Sequence, residues 1–189
     1  VKKGVLTADA EAVRRAGDKT IQKVALAVSP EEAIAQAELL ILGPGSLYTS
    51  IIPNLLVPGV VDALRESKAK VIFACNVSDC DGETMGFSAR DHVEALLKHG
   101  MEGLVDYAVI HSEGSLKPLS VAQARIDALP DYAVRPVRSS IEDVDWIREQ
   151  GIRVYIRNLS NPQKPAWHNP LAWRQVLEEI FGQCLSRPM

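Results

Sequence analysis

Along most of the chain, the pattern of apolar and polar residues predicts short strands that alternate with amphipathic helices. Four apolar runs have the length and composition of buried strands, namely 39–42 (LLIL), 71–75 (VIFAC), 107–110 (YAVI) and 153–156 (RVYI). Helical spacing of apolar residues occupies the segments between them. Because strands that are apolar on both faces need cover on both sides, we predict an α/β fold with a mainly parallel sheet in three layers.

Capping residues mark where the helices begin. A serine precedes Pro30, and two further serines are each followed three residues later by an aspartate, as in a capping box; an asparagine precedes Pro170 and the last helix. The predicted caps are Ser29, Ser88, Ser140 and Asn169. His92 and His99 lie within a helical pattern and are expected on a helix surface.

Two segments do not follow the alternation. Residues 1–28 contain two strand-like runs around a charged, alanine-rich stretch, which indicates an arm or hairpin. Residues 158–169 contain two prolines and are predicted to be the longest loop. We therefore divide the chain into an arm, 1–28, and an α/β domain, 29–189.

Composition narrows the class of protein. The 189 residues include 21 Lys and Arg against 24 Asp and Glu, so the formal charge is −3. The chain therefore lacks the excess of Lys and Arg that is typical of a nucleic-acid-binding protein. No apolar run reaches the ~20 residues of a membrane span, and no secretory segment opens the sequence. We expect a cytoplasmic protein without a nucleic-acid or membrane partner.

Three cysteines, Cys75, Cys80 and Cys184, are an odd number without the spacing of a disulfide-rich domain, which indicates a reducing compartment. Cys75 and Cys80 alone do not predict zinc, because no second Cys or His pair follows at ligand spacing.

The carboxyl ends of parallel strands share one edge of a sheet, and ligands bind there in folds of this type. A glycine-rich turn with hydroxyl groups follows the first strand; its residues are Gly43, Pro44, Gly45, Ser46, Tyr48, Thr49 and Ser50. Glycines allow close approach, and free amides at a helix start favour an anion such as phosphate. The alternative is a tight turn whose hydroxyls only cap the helix.

Polar residues also follow the next two strands. Asn76 comes directly after 71–75, and Asp79, Asp81 and Glu83 crowd the loop beyond it, where one or two carboxylates suit Mg²⁺ beside a phosphate; a solvated acidic loop is the alternative. His111 follows the third strand and His168 precedes the last helix, so either imidazole is a candidate to contact a ligand oxygen.

Two segments, 39–77 (LLILGPGSLYTSIIPNLLVPGVVDALRESKAKVIFACNV) and 81–97 (DGETMGFSARDHVEALL), closely resemble the YvcK type of gluconeogenesis factor. That group belongs to the CofD superfamily of 2-phospho-L-lactate transferases. The resemblance is dense from Glu31 to about Ile110. It implies a Rossmann-like α/β fold, binding of a UDP-sugar such as UDP-N-acetylglucosamine, a regulatory role in carbon metabolism and cell shape, and a homodimer.

The resemblance leaves two other functions open. The CofD branch transfers a phospholactyl group to a deazaflavin coenzyme precursor with Mg²⁺, and such an enzyme is the first alternative. The second is a scaffold or dimerisation fragment that binds no small ligand. Gly43 to Ser50 follow the YvcK pattern, which favours the regulatory role.

Three departures from the family pattern affect the expected site. A glycine-rich strand-turn-helix at the start of the family is not found before Gly43, which predicts a truncated chain. Asp81 and Met85 replace a family proline and aspartate, and Trp167 replaces an arginine thought to contact the nucleotide. A family tyrosine that contacts the nucleotide corresponds to Tyr132.

Overall fold

A four-stranded parallel sheet forms the centre of the computed structural model, which describes residues 29–130 and 133–185. Its strands lie in the order β1 (Leu39–Leu42), β2 (Lys70–Ala74), β3 (Tyr107–His111) and β4 (Arg153–Arg157). All neighbouring strands pair in parallel, so their carboxyl ends meet at one edge. The predicted arm 1–28 and Tyr132 lie outside the described residues.

Helices cover both faces of the sheet. Within the described residues the α-helices are α1 (Pro30–Gln36), α2 (Ile52–Leu55), α3 (Val60–Glu66), α4 (Ala89–Leu96), α5 (Leu119–Asp127), α6 (Ile141–Glu149) and α7 (Pro170–Leu185), and a π-helical turn, Leu97–Met101, extends α4. Right-handed crossovers between successive neighbouring strands place the connecting helices on one face. Residues of α1 to α4 and α6 pack there against alternate strand positions such as Phe73 and Ile110.

The opposite face of the sheet is covered by α7. Trp173, Val176 and Ile180 of α7 pack on Ile72 and Val109, which point away from the other helices. Each buried strand therefore contributes to two cores, which explains why its sequence is apolar without alternation. The predicted three-layer, Rossmann-like α/β fold is confirmed.

The predicted helix starts are also confirmed. Ser29, Ser88 and Ser140 each accept a hydrogen bond from an amide three residues ahead, and the acidic residue there bonds back to the serine amide. The Asn169 side chain accepts hydrogen bonds from the amides of Leu171 and Ala172.

Three details differ from the sequence-based expectations. The segment 158–169 is not an open loop, because β5 (Ser160–Asn161) and β6 (Lys164–His168) pair in it as an antiparallel hairpin. Helix α5 was not among the predicted helices, and none of its residues is buried. His92 is wholly buried rather than on a helix surface, and its Nδ1 lies 2.8 Å from the Ser88 carbonyl oxygen.

Within the described residues, no single helix has the length and apolar character of a membrane span; the segments Leu47–Leu55 and Val60–Glu66 reach that threshold only when taken together, and they meet at 69°.

Candidate functional site

The glycine turn lies where β1 ends beside β2. Gly43 has φ +93°, and a Cβ at this position would lie 3.0 Å from the Ala74 carbonyl oxygen of β2. A side chain would therefore be opposed both by the backbone conformation and by the neighbouring strand. The Gly43–Pro44 peptide bond is cis. The turn thus brings the chain close to the end of β2, as its glycine predicts.

A π-helical turn, Leu47–Ile51, follows directly and leads into α2. The amides of Ser50 and Ile51 bond to the Ser46 carbonyl oxygen at 2.9 and 3.0 Å. The amides of Tyr48 and Thr49 instead both donate to Glu83 Oε1, the Thr49 bond being 2.9 Å long. Two main-chain amides of the predicted anion-binding loop are therefore bound by a carboxylate of the same chain.

The three predicted metal-binding carboxylates have different surroundings. Glu83 bonds to the glycine-turn amides, the Asp79 carboxylate accepts a hydrogen bond from the Gly86 amide at 3.2 Å, and Asp81 is exposed. No three His, Cys, Asp or Glu side chains converge in a metal-binding arrangement within 29–130 and 133–185. These residues do not fit a magnesium site as arranged, because the three carboxylates do not converge and Glu83 Oε1 already accepts two amides.

A cavity of about 520 Å³ lies beside β1, the outermost strand of the sheet within the described residues, next to the glycine turn. Gly43, Pro44, Gly45 and Ser50 line it, together with aliphatic side chains of α1 to α3 and β1. Among the described residues around this β1-edge cavity, none is charged. Two amides that follow the turn therefore bond to Glu83, while the turn itself lines a largely apolar cavity.

The hydroxyl side chains after the turn reach the surface. Tyr48 is 40% exposed, and its ring meets Phe87 edge to face with 6.2 Å between centroids. Thr49 and Ser50 are exposed, and Ser46 is half-buried. Asn76 is half-buried directly beyond the end of β2. These groups are available to a ligand that approaches the sheet edge, so their predicted role remains open to test.

The two candidate histidines lie near each other at the β3 and β4 end of the sheet. His111 Nδ1 accepts the Leu159 amide at 3.0 Å, and His168 Nδ1 accepts the Trp173 indole N–H at 2.7 Å. Burial, with a smaller effect of neighbouring His111, lowers the pKa of His168 to about 4. Burial also lowers the pKa of His111, which Glu113 partly offsets. Both rings are thus neutral at pH 7 and carry their proton on Nε2.

A second cavity, of about 430 Å³, lies beyond the end of β3. His111 lines it, but the glycine turn does not, so the predicted site residues are not gathered around one cavity. Three basic side chains also line it, Lys117, Arg125 and Arg138. Sequence reasoning missed this β3-end cavity because its basic residues come from a loop, a helix and an extended segment, and no local pattern links them.

The surroundings of Trp167, Cys75 and Cys80 indicate no reactive group. Trp167 is 65% exposed on β6, with the Lys164 ammonium 5.1 Å from its ring centroid. Burial raises the pKa of the Cys75 thiol to about 12. Burial also raises the pKa of Cys80, which is half-exposed beside Glu83. Neither thiol is activated as a nucleophile.

Comparison with known proteins gives a consistent group of relatives. The family profile described as 2-phospho-L-lactate transferase CofD matches residues 7–160. A putative gluconeogenesis factor of Aquifex aeolicus is 40% identical over 84% of this chain and 47% of its own length. One from Thermotoga maritima is 49% identical over 79% of this chain and 46% of its own length.

Solved structures agree with the sequence relatives. A crystal structure of a UPF0052 family protein from Bacillus halodurans superposes with a TM-score of 0.62 at 32% identity, covering 80% of this chain and 45% of that protein. The chain spans less than half the length of the curated relatives just named. The family match covers most of the chain, and both relatives are described as gluconeogenesis factors. The chain belongs to the CofD family, within its group of gluconeogenesis factors.

Proposed function

We propose that this chain is part of a regulatory protein that binds an anionic metabolite, a UDP-sugar, at the loop from Gly43 to Ser50. The observation that carries the proposal is the pair of hydrogen bonds from the Tyr48 and Thr49 amides to the Glu83 carboxylate. Adjacent amides that bind one carboxylate oxygen have the direction and polarity needed to bind a phosphate oxygen.

In this proposal the ligand phosphate takes the place of the Glu83 carboxylate. Glu83 is half-buried at the protein surface, so its side chain has room to rotate into solvent. The Ser46 and Thr49 hydroxyls then donate to the same phosphate, and Asn76 contacts a more distant part of the ligand. The names of the relatives support a role for such binding in the control of carbon metabolism, and the resemblance extends that role to cell shape.

Isothermal titration with UDP-N-acetylglucosamine tests the proposal. The S46A/T49V double variant removes two hydroxyl donors, so binding should weaken by about tenfold or more. Ser120→Ala is the matched control, because Ser120 is exposed on α5 and away from the turn. Equal affinities of the double variant and the wild type would contradict this site, provided that both unfold at the same denaturant concentration.

The family description favours a second function, phospholactyl transfer. The profile that matches residues 7–160 is that of 2-phospho-L-lactate transferase. This enzyme needs Mg²⁺ beside the transferred phosphate, and Asp79, Asp81 and Glu83 are the carboxylates that would have to rearrange to hold it. Formation of a phospholactylated deazaflavin product with Mg²⁺ would support the transferase, whereas binding without turnover supports the regulatory role.

A further inference from the structure

The open side of β1 is the strongest feature outside the proposed ligand site. β1 is the outermost strand among residues 29–130 and 133–185, and the β1-edge cavity lies beside it. We propose that the second strand-like run of the arm, 23–28 (KVALAV), binds along β1 as a fifth, parallel strand and fills this cavity. The inference stands independently of the proposed function, since it concerns a contact between two segments of the chain and no small ligand.

The composition of β1 is that of an interior strand. Its sequence, LLIL, contains neither a charge nor a proline, which are two of the features that keep exposed edge strands from pairing with other chains. On the opposite side of the sheet, β4 begins and ends with exposed arginines, Arg153 and Arg157. Ile41 of β1 is 43% exposed, although strands of parallel sheets are normally covered on both faces. β1 thus has the sequence of a strand with a neighbour on each side.

Main-chain groups of β1 point toward the open side. The Lys70 amide of β2 donates to the Glu38 carbonyl oxygen at 3.1 Å, and β1 and β2 are parallel. Because hydrogen bonds alternate along a parallel ladder, the Leu40 amide points to β2, whereas the amides of Leu39 and Ile41 point away from it. Within the described residues, no strand lies on that side to accept from them. A further strand would supply the two carbonyl acceptors.

The shape of the β1-edge cavity suits a strand. Leu40 lines it from the face of the sheet that α1 to α4 cover. Ile41 lines it from the opposite face, because its partner in β2, Ile72, packs against α7. A cavity that reaches both faces of a strand lies along its free edge. The run 23–28 is apolar after Lys23 and alternates larger and smaller residues with the period of a strand, so it matches the uncharged lining.

The described structure begins beside this cavity. Ser29 caps α1, and Pro30, the first residue of α1, lines the cavity together with Gly43 at the carboxyl end of β1. Only Ser29 separates the run 23–28 from α1, so Val28 lies at most about 7 Å from Pro30. The run therefore ends at the edge of the sheet where β1 ends, and a strand formed by it along β1 has the same direction as β1.

The position of α1 determines on which side of β1 the run binds. α1 packs on the same face of the sheet as α3, α4 and α6, which connect successive strands from β1 to β4. Crossovers between parallel strands are almost always right-handed, so a helix on this face carries the chain one strand further in the direction from β1 to β4. A strand that directly precedes α1 therefore lies one position before β1, on its open side.

The contact also has a consequence for the glycine turn. Gly43, Pro44 and Gly45 line the same cavity. A strand that fills the cavity removes the apolar side chains beside these residues from water, which stabilises the end of β1 from which the turn begins. The arm would thus support the loop without contributing a ligand contact.

Residue-resolved hydrogen exchange of the full chain, measured by NMR, tests the contact. We expect the amides of Leu39 and Ile41 to exchange at least about tenfold more slowly than exposed amides. Leu26→Pro removes a main-chain donor and the fit of the run to a strand, so exchange at both positions should accelerate about tenfold or more. The Leu40 amide bonds to β2 and should change by less than about twofold. Ala10→Pro, in the arm but outside the run, is the matched control and should alter none of these rates.

The other outcomes contradict the proposal. Rates for Leu39 and Ile41 equal to those of exposed amides in the wild type would show that β1 is a free edge. Protection that is unchanged in Leu26→Pro would assign the open side to another occupant, and a dependence on protein concentration would identify a second copy of the chain. If Leu40 accelerates as well, the sheet has unfolded, and Leu26→Asn, which keeps the main-chain donor, replaces the proline variant. Equal rate changes at Leu39, Leu40 and Ile41 in Leu26→Asn would then exclude the contact.

Discussion

Thr49 and Glu83 are joined by a 2.9 Å hydrogen bond between the Thr49 amide and the Glu83 carboxylate, and the same carboxylate oxygen accepts the Tyr48 amide. The two residues belong to loops that follow adjacent strands, β1 and β2. The bond therefore connects the two loops at the edge of the sheet where ligands bind in this class of fold. The Glu83 carboxylate therefore connects the two loops, and it also occupies the two amides of the proposed anion site.

Glu83→Ala separates these consequences. Removing the carboxylate breaks two charge-assisted hydrogen bonds, which should lower the free energy of unfolding by about 1–2 kcal/mol. It also frees the Tyr48 and Thr49 amides, so the affinity of the glycine turn for inorganic phosphate should rise. Urea denaturation measures the first effect, and isothermal titration with inorganic phosphate measures the second.

Asp81→Asn is the control for Glu83→Ala. It removes one negative charge from the same loop, but Asp81 is exposed and its side chain has no hydrogen bond among the described residues. A rise in phosphate affinity of the same size in both variants would mean that net charge, and not release of the amides, is responsible.

The sequence predicted the sheet well because its signals are local. The run 39–42 matches β1, and 71–75 and 107–110 each differ from β2 and β3 by a single residue at one or both ends. Capping boxes at Ser88 and Ser140 need only a serine and an aspartate three residues apart. Such patterns depend on neighbouring residues, so folding of the rest of the chain does not alter them.

The site was predicted only in part because its contacts are distant in sequence. Glu83 was expected near a metal as one of three acidic residues in a loop, whereas its partners lie 34 and 35 positions earlier. Lys117, Arg125 and Arg138 line one cavity although they belong to three separate segments of the chain. His92 was assigned to a helix surface because spacing alone does not show that α4 turns that side toward Phe87, 5.7 Å away.

Gly43→Ala tests the close approach of β1 and β2. The new Cβ combines a positive φ with a contact 3.0 Å from the Ala74 carbonyl oxygen. Gly82→Ala is the matched control, because its φ is +72° but no atom lies within 4 Å of the position that a Cβ would take there. The control should lose about 1 kcal/mol from backbone conformation, and Gly43→Ala should lose clearly more in urea denaturation. Equal losses would exclude a role for the strand contact.

Ser140→Ala tests whether burial strengthens a helix cap. Ser140 and Asp143 are both buried, and Asp143 also lies 3.5 Å from Arg138 Nε. Loss of the cap should cost about 2 kcal/mol, near the upper end for capping residues. Ser29 forms the same capping box in an exposed position, so Ser29→Ala should cost about 1 kcal/mol or less. Thermal unfolding should therefore show a larger fall in the midpoint temperature for Ser140→Ala than for Ser29→Ala.

Cys75 and Cys80 should differ in reactivity toward iodoacetamide. Cys75 is wholly buried and its pKa is raised to about 12, so alkylation requires unfolding. Cys80 is half-exposed, and its raised pKa slows the reaction without blocking access. Peptide mass spectrometry of the native protein should find label on Cys80 before Cys75. Glu83→Ala should accelerate labelling of Cys80, because Glu83 contributes to its raised pKa.

His168 should make stability depend on pH below neutrality. Its pKa is about 4 in the folded protein, against 6.5 for an unperturbed histidine. Between these values the unfolded chain binds a proton that the folded chain does not, so the free energy of unfolding falls as the pH drops from 6.5 toward 4. Burial lowers the pKa of His111 and His92 as well, and their effects have the same sign.

His168→Asn isolates the contribution of this ring. An asparagine oxygen can accept the Trp173 indole N–H that His168 Nδ1 accepts at 2.7 Å, but asparagine does not titrate. The difference in unfolding free energy between wild type and variant, measured in urea at pH 7.5 and pH 5, should shift in favour of the variant at pH 5. Because carboxylates are common to both proteins, their titration cancels in this difference. A difference that is the same at both pH values would show that His168 takes up a proton as readily in the folded protein as in the unfolded chain, and that burial does not hold the ring neutral.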